Sequence, residues 1–99
     1  MVRRADVRPR PADYADEGTW PQCTLQADAP VWARHALHIS SALQARLRDV
    51  NVSELQRSTG IARSTIRRIV EGETWPDFVT LTRLEDALDV SLWPGPNSV

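Results

Sequence analysis

Between Ser58 and Gly72 the chain reads STGIARSTIRRIVEG, with Arg63, Arg67 and Arg68 standing among Ile61, Ile66 and Ile69. A guanidinium group is planar, always charged, and donates in a fixed fork that matches a phosphate or the O6 and N7 acceptors of guanine. On a helix that begins near Ala62, Arg63 and Arg67 lie four residues apart, as do Ser64 and Arg68. All four side chains then share the face opposite Ile66 and Ile69. The isoleucines bind such a helix to a core while the arginines point outward together.

Other chemistries find no comparable constellation. There is no nucleophile with a plausible base partner, no glycine loop of the kind that cradles phosphate, and no carboxylate pair in a recognisable setting, so neither catalysis nor a cofactor is expected. His35 and His38 are three apart, yet Cys23 is the only further soft ligand and no zinc-type spacing joins them. They read as ordinary surface or boundary residues, and no metal is expected. A single cysteine also excludes an internal disulfide, so the fold must rest on its apolar core.

Charge is sorted along the chain. The formal net charge of the 99 residues is −1, but residues 34–70 hold seven arginines against two carboxylates, and residues 71–99 hold six carboxylates against Arg83. One basic working face and an acidic opposite end would produce that split, which is a recognised sign of nucleic-acid contact. All twelve basic residues are arginine. Planar, bidentate recognition of phosphate or guanine accounts for this, and so does the codon usage of a GC-rich genome.

A chain of this length fits one small domain. Residues 1–28 contain Pro9, Pro11 and Pro21 and no sustained apolar period, which reads as a flexible, extended arm with little regular structure. Its opening VRRADVRPR suits either an arm entering a minor groove or a disordered terminus. Residues 29–93 read as the folded domain and 94–99 as a tail. Within the domain, Asp28 as cap, Pro30 in the first turn, and Trp32, Ala36, Ile39, Leu43 and Leu47 at intervals of three and four predict a long amphipathic helix. Asn51 with Glu54 three residues on makes a capping box for a short second helix that stops at Gly60. The arginine-bearing helix follows and ends at Gly72. Asp77 opens a fourth helix carrying Phe78, Leu81, Leu84 and Leu88, and at most one further turn precedes Pro94 and Gly95. No strand-like alternation appears, so the predicted fold is all-α, with four or five helices.

Two short helices joined by a glycine-containing turn, the second rich in arginine, form the helix-turn-helix pattern. The run VSELQRSTGIARSTIRRIVEG, followed by WPDFVTLTRLEDALDVSL, resembles the XRE family of phage-repressor-type regulators over about residues 34–93. Leu55, Gly60, Ile61, Arg63, Ser64, Thr65, Ile66, Ile69, Gly72, Pro76, Leu81, Leu84, Leu88 and Val90 match its pattern. Four positions depart from it. Val52 replaces a phosphate-gripping Gln, Gln56 replaces a small residue, Ala62 replaces the usual Ser or Thr cap, and Val70 replaces a glutamate whose partner position on the first helix corresponds to Ala45. These departures bear on individual contacts and not on the fold.

The resemblance implies a sequence-specific, double-stranded DNA-binding transcriptional regulator, most simply a repressor, working in the cytoplasm at the nucleoid. It implies base contacts from Arg63, Ser64 and Arg68 of the third helix, with Arg67 beside them. Asn51, Ser53, Arg57 and Thr65 flank that helix and are the expected phosphate contacts. It also implies a homodimer, for which Trp93 is the candidate contact. Trp32 and Trp75 are read with Trp93 as core or interface anchors, and Trp20 as a cover reaching over from the arm. The alternative expectation is an antitoxin or protein-interaction module that holds a partner through residues 1–33. No apolar run approaches the roughly 20 residues of a membrane span and the N-terminus lacks a secretory h-region, so a soluble, intracellular protein without a membrane role is expected.

Overall fold

Apolar residues recurring every three or four positions pull each predicted helical segment onto a shared core. The computed structural model describes residues 9–95. Its helices are α1 (Val31–Leu47), α2 (Val52–Thr59), α3 (Arg63–Val70) and α4 (Phe78–Leu88). Ile39 and Leu43 of α1 meet Leu55 of α2, Ile61 of the turn, Ile66 and Ile69 of α3, and Leu81, Leu84 and Leu88 of α4. Leu92 completes the core from beyond α4.

The helix ends follow their capping chemistry. Asn51 Oδ1 accepts the Glu54 N–H at 3.1 Å and Asp77 Oδ1 accepts the Thr80 N–H at 2.8 Å, each occupying a donor that the first turn leaves orphaned. Gly60 ends α2 at φ +76°, a left-handed conformation that costs glycine nothing because it has no Cβ. Asp28 does not cap α1. Pro30 stands at that position, and its carbonyl accepts the Ala33 N–H at 3.0 Å. The buried stripe of α1 runs through Ala33, Ala36, Ile39, Ser40 and Leu43, which turns Trp32 outward and leaves it 59% exposed. Among the described residues no fifth helix follows α4: Asp89 ends it at φ +54°, and the Leu92 and Trp93 N–H groups donate to Glu85 Oε2 instead.

The larger difference lies before α1. Where the sequence predicts a flexible arm without strands, Pro11–Tyr14 form a 3-10 turn and Ala15–Thr19 (β1) pairs antiparallel with Gln22–Leu25 (β2). Four of the five β1 residues are exposed, so the hairpin carries no apolar alternation that could announce it. Its hold on the helices comes instead from single anchors. Trp20 is buried against Gly72, Ala12 donates its N–H to the Gly72 carbonyl at 2.9 Å, and the Trp75 indole donates to the Pro9 carbonyl at 2.8 Å. The Gln22 side chain reaches Gln44 on α1. The expected cover by Trp20 is thus present, on an ordered element. The basic run from Val2 to Arg8, and most of the 94–99 tail, lie outside the described residues.

Candidate nucleic-acid interface

The arginine helix α3 is held from both sides along its buried edge. Ile66 and Ile69 are almost wholly excluded from solvent, and at its C-terminal end the buried Ser40 hydroxyl donates to the Ile69 carbonyl at 2.7 Å. One residue past the cap, Gly72 takes the Ala12 hydrogen bond and the Trp20 ring. A Cβ at Gly72 would come within 2.8 Å of that ring, so the close approach requires glycine there. The helix is fixed by packing and cannot roll about its axis without emptying the core.

Its N-terminal end shows how two departures from the family pattern compensate. Ala62 occupies the cap position and has no oxygen to offer the orphaned amides. Gln56, on the preceding helix, supplies one: its Oε1 accepts the Arg63 N–H at 3.1 Å. The larger residue in α2 therefore replaces the missing cap of α3. The third departure resolves differently. Ala45 is exposed, while Val70 is half-buried beside Leu47 and Val52, so Val70 packs at the α1–α2 edge.

With the buried edge fixed, Arg63, Ser64, Arg67 and Arg68 all lie exposed on the opposite arc, and Thr65 is half-buried at its margin. Arg63 Nη1 reaches Ser53 Oγ at 3.4 Å, which brings an expected base contact and an expected phosphate contact together across the turn. Arg67 pairs with Glu71 at 3.0 Å, both side chains about half exposed. Arg57 lies 3.8 Å from Glu54, each 70% exposed, a pair that solvent screens almost completely. Arg68 makes no ion pair among the described residues. The Oδ1 of Asn51 is used by its helix cap, and the amide NH2 is the group that a phosphate oxygen would take.

Glu71 is the residue that sequence reasoning passed over on this face. It follows Arg67 by four positions, which was signal enough for an i,i+4 ion pair. No group of three or more His, Cys, Asp or Glu side chains suited to a metal occurs among the described residues. Nor is any helix of the described residues long and apolar enough to cross a membrane. The arrangement presents a row of fixed guanidinium and hydroxyl donors, the chemistry that meets phosphates and base edges.

Comparison with known proteins agrees with that geometry. Residues 43–92, half of the chain, match the family model described as Helix-turn-helix. The match begins at Leu43 in α1 and ends at Leu92, so it contains α2, the turn, α3 and α4 and leaves the hairpin outside. No curated protein and no solved structure matches the chain.

Proposed function

Because this chain belongs to the XRE family of helix-turn-helix proteins, whose domain binds DNA and is not an enzyme, we propose that it regulates transcription as an operator-binding repressor. In this reading α3 enters the major groove. Arg63, Ser64, Arg67 and Arg68 meet base edges there, while Asn51, Ser53, Arg57 and Thr65 hold the flanking phosphates. The observation that carries it is the single exposed arc of Arg63, Ser64, Arg67 and Arg68 on a helix locked through Ile66 and Ile69. Arginine donates bidentately to guanine, so G·C pairs are expected in each half-site. Two copies, meeting through the half-exposed Trp93, would place their α3 helices about 34 Å apart in successive major grooves. Bound there, the dimer blocks polymerase by exclusion.

Selection from a randomised duplex library at two salt concentrations tests this. Electrostatic contact to phosphates weakens steeply with salt whereas base readout persists in the ranking of sequences. A two-fold-symmetric enriched motif containing G·C pairs at both salts is the expected result. Binding without enrichment, lost at the higher salt, would remove the base-reading role.

A further inference from the structure

Four of the six aromatic residues among Trp, Tyr and Phe line one trough where the start of α1 faces α4. Trp32, Trp75, Phe78 and Trp93 form its walls, with His35 and Glu85 supplying the main polar groups. Its volume is about 570 Å³, within the range of small-molecule sites, and a second hollow bounded by Tyr14 and Pro9 adjoins it across Trp32 and Trp75. The rings are not spent on the core. Trp32 is 59% exposed, Phe78 78% and Trp93 49%.

The polar chemistry of the trough has one sign. Among the described residues Glu85 is the only formally charged side chain lining it, and no arginine does. Its Oε2 is held by the backbone N–H groups of Leu92 and Trp93 and by no cation among the described residues, so the carboxylate lines the trough without an ion-pair partner there. Asp77 and Asp86, both exposed, adjoin the lining residues Phe78 and Glu85 in sequence. Several indole faces with a fixed carboxylate attract an organic cation through the ring quadrupole and the full charge together. A second copy touching the edge of the trough at Trp93 would leave its interior open, because a two-fold contact that filled it would set this acidic rim against its twin.

We infer that the trough binds a lipophilic organic cation, an aromatic quaternary ammonium or a compound of like charge and shape. The site is separate from the arginine face and does not depend on how α3 reads DNA. Trp93 is shared with the proposed subunit contact, so a cation seated there competes with dimer formation.

The test is an NMR titration of the full-length protein with benzyltrimethylammonium, following the indole N–H signals of its four tryptophans, with N-benzylacetamide as a neutral probe of similar size. Saturable shifts at Trp32, Trp75 and Trp93, with Trp20 unmoved, are expected. The cation should bind about tenfold more tightly than the neutral probe. The exposed-site variants Trp32→Ala and Phe78→Ala leave the core intact and should each weaken binding severalfold, as should Glu85→Gln. Non-saturating shifts, equal affinity for the neutral probe, or unchanged binding in Trp32→Ala and Phe78→Ala would each overturn the inference. So would trough signals that move on diluting the protein alone and never with the probe, because a second copy would then be the occupant.

Discussion

Three arginines on α3 differ in what already engages them, and that difference orders their expected effects. Arg68 has no ion-pair partner among the described residues, and there the Arg63 guanidinium hydrogen-bonds only the Ser53 hydroxyl, so both are available to a base edge. Arg63→Ala and Arg68→Ala should each cost about 1–3 kcal/mol on the preferred duplex and relax the preference at one base position. Arg57→Ala, near the start of the turn, should weaken every sequence alike; competition binding against a panel of single-base variants separates the two patterns. Glu71 has the opposite sign. It draws Arg67 aside at 3.0 Å and presents a carboxylate on the same side as the guanidinium groups. Glu71→Gln should therefore raise affinity for all duplexes severalfold and steepen the dependence of binding on salt. An unchanged salt slope would place Glu71 away from the phosphates.

At the scale of the element, α3 is positioned by neighbours at each end. Gln56 caps its first turn from α2, and Gln56→Ala should lose about 1 kcal/mol of stability, the ordinary worth of a helix cap, in urea denaturation. The hairpin braces the other end through Trp20 on Gly72 and the Ala12 to Gly72 hydrogen bond. Trp20→Ala removes the largest anchor of that brace and should cost about 3–5 kcal/mol, the usual range for a buried tryptophan, while the far-UV signal of the four helices persists in the cold. A variant as stable as the parent would mean that the hairpin is only draped over the helices. The hairpin matters here because it lies outside the family match yet contacts the end of the helix on which that match centres.

For the molecule as a whole, ten apolar side chains carry the core, and the surface charges act mainly through pH and salt. Two exposed carboxylates sit below their ordinary value near 3.8: Asp13, which accepts the Arg10 guanidinium and backbone N–H, and Asp77, which accepts the Thr80 N–H and hydroxyl. A carboxylate with a lowered folded pKa adds stability that is complete above its unfolded value and is lost as pH falls through the folded one. Thermal melts should therefore be level in this respect above about pH 5 and decline below pH 4. The paired variant Asp13→Asn with Asp77→Asn should show a shallower acid decline. An identical acid limb in parent and variant would assign the loss to other carboxylates.

The helices and their limits were legible in the sequence because each depends on local rules. Apolar spacing, the Asn51 and Asp77 caps and the left-handed Gly60 act within a few residues of where they are written. The exposed arc of α3 followed from the same periodicity. What tertiary structure alone decided depends on pairs far apart in the chain. Trp20 meets Gly72 and Trp75 meets Pro9 across more than fifty residues, so a nearly all-polar hairpin is ordered by contacts that no periodicity records. The tryptophans show the same division. Sequence pattern put Trp32 on the α1 stripe and treated it with Trp75 and Trp93 as core or interface residues. The register of α1 against the core then buried Ala33 and turned Trp32 outward, towards Trp75 and Trp93. One residue's rotation on a helix is about 100°, small enough for a pattern to leave open and large enough for packing to decide.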